Sequence, residues 1–335
     1  MSTRQRLFGY EHAFDHPVVA GIAIAVAAIL VLTPLLLAAL GRGGRVDAAT
    51  RANIRARWRS WLVLAPLMLA PVLLGAAWTI AAVCLLSLLC YREFARATGL
   101  FRHRLISLIV VLGILLITFA AADHWYGLFV ALPALVITII AAVAILADQP
   151  TGYIQRVALA VFAFLFFGVC LGHLGYFAND NEYRPMLVLI IAAVELNDVF
   201  AYLCGRTFGR RRLAPNTSPN KTIGGAVGAL MLTTALVCGA GALVFRGTPM
   251  SSLVHLLGLG LIIGLGGQLG DLMLSSIKRD LGLKDMGATF PGHGGLLDRF
   301  DSLILVAPAT FHYVRYFLGI GVDNATRIMT AGGAS

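Results

Sequence analysis

Long runs of apolar residues alternate with short polar segments along almost the whole chain. The first run extends from Pro17 to Leu40, and comparable runs follow until Phe317. About 20 apolar residues is the length that an α-helix needs to cross the hydrocarbon core of a bilayer. Backbone groups inside a bilayer must find their hydrogen-bond partners within the protein, which favours helices. The pattern therefore predicts an all-α, polytopic integral membrane protein with about ten transmembrane helices.

One run is too long for a single helix. Trp61 to Cys90 contains no charged residue but includes Pro66, Pro71 and Gly75. It predicts a tight hairpin of two short spans, which returns the chain to the same side. The remaining predicted spans are Leu105–Ala122, Leu128–Ala147, Ala158–Phe177, Met186–Cys204, Ala226–Val244, Leu253–Leu274 and Leu303–Phe317.

Charge supports the same topology. The chain has 26 Lys and Arg against 16 Asp and Glu, and its mean hydropathy is +0.85. The basic residues lie in the short connections, and the positive-inside rule explains them without a nucleic-acid partner. We expect the N-terminus and the tail outside and the basic connections in the cytoplasm. We expect the protein to lie in the cytoplasmic (inner) membrane with its active site facing the cytoplasm.

The segment from Ser275 to Leu303 concentrates charge in a chain that is only 13% charged. Asp271, Ser275 and Lys278 fall at i, i+4 and i+7, so they share one face where a helix ends. Asp298 and Asp301 share a face where the next helix begins. Carboxylates and cations around a glycine-rich connection suit Mg²⁺ bound to a polyphosphate. The alternative is a solvated loop that happens to be charged.

A second group of polar residues lies inside the span Met186–Cys204. Glu195 and Asp198 are i, i+3 neighbours, and Tyr202 continues the same face. Carboxylates are expensive inside an apolar helix unless they face a cavity, an ion or a partner. Glu195 and Asp198 are therefore further candidate metal ligands, recessed beneath the cytoplasmic surface. A polar pair that joins two helices is the alternative.

The basic connection from Arg206 to Lys221 follows this span. The positive-inside rule alone would explain its arginines. Lys221 and Thr222 stand just before the pair Gly224 and Gly225 at the start of a predicted helix. Backbone N–H groups at a helix start bind phosphate, so this part of the connection is a candidate phosphate site.

These residues together resemble a known family. The segment with Ser275, Lys278-Arg279, Lys284-Asp285, His293-Gly294-Gly295, Asp298-Arg299 and Asp301 is similar to the signature of phosphatidate cytidylyltransferases, also called CDP-diacylglycerol synthases. Gly270-Asp271, Asp198 to Tyr202, Gly205-Arg206 and Ser218-Pro219-x-Lys221-Thr222 also resemble that family, in the same order. The resemblance covers roughly residues 61–317. It suggests three regions: an added helix and Arg-rich loop (1–60), a cytidylyltransferase domain (61–320) and a tail (321–335).

The resemblance implies transfer of CMP from CTP to phosphatidate, with Mg²⁺ and optionally a monovalent cation such as K⁺. It implies that Asp271, Asp298 and Asp301 hold metal. The implied substrate-binding residues are Ser218, Lys221, Thr222, Ser275, Lys278, Arg279, Lys284, Arg299, Arg206 and Tyr202. The expected catalytic residues are Asp271, Asp298, Lys278, Arg299 and His293. We expect Lys278, Arg279, Lys284 and Arg299 to screen the pyrophosphate leaving group, and His293 to donate a hydrogen bond to a phosphate or to shape the glycine loop.

Two positions depart from the family pattern. Gly224 stands where the family usually carries Glu, and Glu195 stands where it often has Trp. One carboxylate is lost and another gained, which leaves open compensation across the site, a divergent subfamily or altered activity.

Other functions remain to be weighed. Another lipid phosphate, for example an isoprenoid one, would undergo the same chemistry. A transporter of an anionic metabolite could also use intramembrane carboxylates, but its polar residues should lie on both sides of the midplane. Glycines and polar faces in several spans would permit a homodimer.

Overall fold

A computed structural model describes residues 2–42, 47–287, 289, 294–319 and 327–330. Within these residues the protein is a bundle of long helices, as predicted. The long helices are α2 (Pro17–Arg42), α3 (Ala48–Leu74), α4 (Ala76–Thr98), α5 (Arg104–Ala122), α6 (Tyr126–Ile145), α9 (Tyr183–Phe208), α10 (Ile223–Val244), α11 (Leu253–Asp280) and α12 (Leu297–Leu318). The shorter helices are α1 (Thr3–Phe8), α7 (Tyr153–Ala163) and α8 (Leu171–Ala178), and a π-helix (Phe164–Cys170) joins the last two.

The number of membrane-spanning helices agrees with the prediction. Nine of the described segments are long and apolar enough to cross a membrane, and α7 to α8 forms one of them, from Tyr153 to Ala178. α12 is a further helix of 22 residues that packs against α11. Its first two turns carry Asp298, Arg299 and Asp301, which lowers its hydropathy.

The predicted hairpin between Trp61 and Cys90 is confirmed, but its helices are not short. α3 has 27 residues and α4 has 23, and the chain breaks at Gly75. Gly75 has φ +141°, and a Cβ there would overlap the carbonyl of Leu7. The expected Arg-rich connection is largely helical, because α3 begins at Ala48 and carries Arg51, Arg55, Arg57 and Arg59.

The connection after α9 also differs from expectation. A basic loop was expected, and it contains an antiparallel pair of strands, β1 (Arg212–Ala214) and β2 (Ser218–Thr222). Arg212 lies opposite Thr222, and the backbone N–H of Ile223 donates to the carbonyl of Arg211. This hairpin closes over the ends of α9, α10 and α11.

The opposite end of the bundle holds the last described residues. Asp123, between α5 and α6, accepts hydrogen bonds from the backbone N–H groups of Met329 and Thr330 and from the Thr330 hydroxyl. Burial by itself would raise the pKa of Asp123, but these hydrogen bonds and the Arg327 charge bring that pKa below its ordinary value. Residues 327–330 are therefore attached to the bundle.

Candidate active site

The candidate site lies at the end of the bundle where α9 and α11 finish and α10 and α12 begin. Glycines allow these four helices to approach closely. A Cβ at Gly225 would lie 2.6 Å from the carbonyl oxygen of Ala201, and one at Gly270 would lie 2.6 Å from the carbonyl oxygen of Asp301. Because Gly225 and Gly270 have no side chains, the helices pack closely there, and polar groups on neighbouring turns come together.

Gly224 belongs to the same close packing. A Cβ at this position would lie 2.6 Å from the carbonyl oxygen of Phe208, at the end of α9. A glutamate would therefore require the backbone of α9 or α10 to shift. Gly224 therefore lies at a close junction between the two helices.

Thr222 and Lys221 shape the start of α10. The Thr222 hydroxyl accepts a hydrogen bond from the backbone N–H of Gly225 at 3.1 Å, which caps the helix. The Lys221 ammonium lies 2.5 Å from a carboxylate oxygen of Asp271 on α11. The ion pair joins the hairpin to α11 and holds Lys221 beside the helix N-terminus.

Asp271 lies among the predicted carboxylates. The Ser275 hydroxyl donates to Asp271 at 3.1 Å, which confirms that these two residues share one face of α11. The Asp271 charge acts on Asp198 from α9 and on Asp301 from α12. Asp198 and Asp271 also line one cleft. The predicted metal roles of Asp271 and Asp301 stay predictions.

Cations surround this acidic cluster. The charge of Arg299 acts on both Glu195 and Asp198, and Lys221 also acts on Asp198. The Nε of Arg299 is buried without a hydrogen-bond partner in the described part of the chain. An orphaned guanidinium N–H inside the protein can be satisfied by an anionic ligand.

Asp298 has different surroundings from Asp301. One of its carboxylate oxygens lies 2.7 Å from the ammonium of Lys278, and the other accepts the backbone N–H groups of Met286 at 2.9 Å and Gly295 at 2.8 Å. Both side chains of the ion pair are buried. Asp298 therefore organises the loop after α11, whereas the buried Asp301 carboxylate accepts the backbone N–H of Ser302 at 2.7 Å. The assignment of Asp298 as a metal ligand stays a prediction.

The other predicted substrate-binding residues lie around the site. Arg279 donates to the carbonyls of Thr217 and Leu283, so it connects the hairpin with the loop after α11. Ser218 is half-buried in β2, while Arg206 and Lys284 are exposed. His293 lies outside the described residues.

Two cavities adjoin the site. A polar cleft of about 240 Å³ is lined by Asp198, Tyr202, Lys221, Thr222, Gln268 and Asp271, among others. An apolar cavity of about 210 Å³ lies between α3, α4, α8, α9 and α12, and Thr289, Leu296 and Phe300 belong to its wall. The site thus has both an ionic and an apolar neighbourhood.

Oxygen donors of this kind suit a hard divalent cation. Asp198 and Asp271 line the same cleft, and a cation bound there would relieve the repulsion between their charges. Across the residues that the structure describes, no group of three His, Cys, Asp or Glu side chains is close enough to hold a metal in this conformation. A lysine is paired with Asp271 instead.

Glu93 was missed by the sequence analysis. This α4 residue accepts hydrogen bonds from the backbone N–H groups of Leu296 and Leu297 at the start of α12. One feature of the sequence could have indicated it. Glu93 is a single carboxylate between Arg92 and Arg96, in a connection whose other charged residues are basic.

Comparisons with known proteins identify the family of this chain. The profile described as the cytidylyltransferase family matches residues 55–317. The chain is 32% identical over 278 residues to the protein named "Uncharacterized protein YnbB" of Escherichia coli (strain K12), covering 81% of this chain and 91% of that protein. It is 41% identical over 140 residues to a phosphatidate cytidylyltransferase of Staphylococcus aureus (strain COL), covering 42% of this chain and 53% of the relative.

A third relative also matches over only part of its length. Identity to the phosphatidate cytidylyltransferase of Bacillus subtilis (strain 168) is 32% over 166 residues, 49% of this chain and 60% of that enzyme. The match thus spans little more than half of each of these two enzymes. The predicted family and the prediction of a nucleotidyltransferase are confirmed, and the transporter alternative gains no support. The chain belongs to the cytidylyltransferase family.

Proposed function

We propose that the protein transfers CMP from CTP to a membrane lipid phosphate, with phosphatidate as the first acceptor to test. The observation that carries the proposal is the polar cleft lined by Asp198 and Asp271, with the Lys221–Asp271 ion pair in its wall and the buried, unpartnered Nε of Arg299 on α12. Family membership supports the use of CTP, and the names of two relatives support phosphatidate.

The proposed reaction joins two anions. A phosphate monoester has a second pKa near 6, so the lipid phosphate is largely a dianion at neutral pH and needs no dedicated base. One of its oxygens attacks the α-phosphorus of CTP. The bond from that phosphorus to the bridging oxygen of the β-phosphate breaks, and pyrophosphate leaves. The lipid product is a CDP-lipid.

The residues of the chain would favour this reaction mainly through charge and position. Lys221, Thr222 and the N-terminus of α10 form one face of the polar cleft, where they can contact phosphate. The Nε–H of Arg299, which has no partner among the described residues, would donate a hydrogen bond to an anion. Lys278 follows Asp271 on the same face of α11. These cations would screen the repulsion between the lipid phosphate and CTP.

The acidic cluster suits Mg²⁺, which Asp198, Asp271 and Asp301 would hold. When bound, Mg²⁺ neutralises phosphate charge and polarises phosphoryl oxygens. A monovalent cation such as K⁺ remains a second proposed cofactor. Since CTP is a cytoplasmic nucleotide and the Arg-rich helix ends lie at the site end of the bundle, we propose that this end faces the cytoplasm.

The test is transfer of label from [α-³²P]CTP into lipid by the purified protein in detergent. Phosphatidate, an isoprenoid phosphate and a diacylglycerol without phosphate should be compared, with Mg²⁺ and with EDTA. We expect Mg²⁺-dependent labelling with phosphatidate and none with diacylglycerol. Preference for the isoprenoid phosphate would change the acceptor but retain the chemistry. Absence of labelling with every lipid phosphate would refute the proposal.

A further inference from the structure

We infer that Glu93 is a positioning residue that holds the loop after α11 and the start of α12 in the geometry required for transfer. The inference rests on the proposed function for its consequence, but its structural part stands on contacts of Glu93 alone. Glu93 lies on α4, which contributes none of the predicted site residues.

The start of α12 lacks a cap of its own. Leu296 is the N-cap residue and has no side chain that can accept a hydrogen bond. The first N–H groups of a helix have no partner within the helix and need one elsewhere. Glu93 supplies it: one carboxylate oxygen accepts from Leu296 N at 3.0 Å and the other from Leu297 N at 2.9 Å. A negative charge at this end also complements the helix dipole.

The same carboxylate contacts the glycine-rich loop. The Thr289 hydroxyl donates to it at 2.6 Å. A Cβ at Gly287 would lie 2.7 Å from a Glu93 oxygen, and one at Gly295 would lie closer still. Because Gly287 and Gly295 have no side chains, the Glu93 carboxylate fits between these two residues of the loop.

Glu93 and Asp298 together accept four backbone N–H groups at or near the two ends of this loop. Glu93 accepts from residues 296 and 297, and Asp298 accepts from residues 286 and 295. Asp298 is adjacent to Leu297 and paired with Lys278 at 2.7 Å. Movement of the α12 start would therefore displace Asp298, Arg299 and Asp301 relative to α11.

The test compares Glu93→Gln with wild type and with Glu182→Gln. Glutamine keeps the size of the side chain but turns one acceptor into a donor facing a backbone N–H. Glu182 is an exposed glutamate at the other end of the bundle and serves as the matched control. Amide hydrogen exchange followed by mass spectrometry should show faster exchange in peptides covering 294–300 for Glu93→Gln only. The kcat of CMP transfer should fall at least tenfold, with the KM for CTP changed less than threefold.

Glu93→Asp should have a higher kcat than Glu93→Gln, since both oxygens of the aspartate carboxylate can accept hydrogen bonds. If exchange in residues 294–300 is unchanged in Glu93→Gln, the inference is overturned. It is also overturned if exchange rises while kcat stays within twofold of wild type, or if kcat falls only in proportion to folded protein in size-exclusion chromatography. Wild-type protein without transfer activity would refute the proposed function, and the exchange measurement would still decide whether Glu93 holds the loop.

Discussion

The ion pair between Lys278 and Asp298 joins α11, the following loop and α12, and its removal gives a quantitative prediction. Asp298→Asn keeps the size of the side chain but removes its charge. The Lys278 side chain is only 10% exposed, so its ammonium would lose its counter-charge inside the protein. The backbone N–H groups of Met286 and Gly295 both donate to the same oxygen of Asp298, so both would face either a weaker amide acceptor or the new NH2 donor.

Breaking a buried ion pair by removing one partner costs about 3–5 kcal/mol of folding free energy. At about 2 °C per kcal/mol for a chain of this size, the melting temperature of Asp298→Asn should fall by about 6–10 °C. Replacing both partners leaves no unpaired charge. Lys278→Met with Asp298→Asn should therefore lose about 2 kcal/mol less than the two single effects together.

Thermal unfolding in detergent, without CTP or added metal, measures these differences independently of activity. The four proteins compared in this double-mutant cycle are wild type, Asp298→Asn, Lys278→Met and the double variant. Single effects that add within about 0.5 kcal/mol would show that the pair is not coupled. A melting temperature of Asp298→Asn within 2 °C of wild type, on the same scale of about 2 °C per kcal/mol, would refute the reasoning.

Three further predictions follow from the site and the opposite end of the bundle. Asp271→Asn should lower Mg²⁺-dependent transfer about 100-fold, whereas Arg211→Ala, an exposed position, should lower it less than tenfold; equal effects would contradict the metal assignment. Gly224→Glu should destabilise the protein by about 1–3 kcal/mol through its clash with Phe208, and unchanged melting would refute that packing. Because the folded pKa of Asp123 is lowered, wild type should be more stable than Asp123→Asn above about pH 4. The difference should disappear as the pH falls through the folded pKa, and a difference that grows with acid would be contrary.

The sequence determined the local features of this protein. Apolar runs specified the helices because burial in a bilayer requires both apolar side chains and internal backbone hydrogen bonds. The spacing of Asp271 and Ser275 placed them on one face because the α-helix has 3.6 residues per turn. Gly75 marked the break between α3 and α4. Each of these conclusions needs only neighbouring residues and the properties of the surrounding solvent.

Only the tertiary structure decided how those local features meet. Asp298 and Asp301 share a face of α12, yet Asp298 pairs with Lys278 and accepts the N–H groups of Met286 and Gly295, whereas Asp301 accepts the backbone N–H of Ser302. Glu93 reaches backbone donors about 200 residues away along the chain. Helical periodicity fixes angles around one axis, but the distance between two helices depends on which side chains, here glycines, lie at their contact.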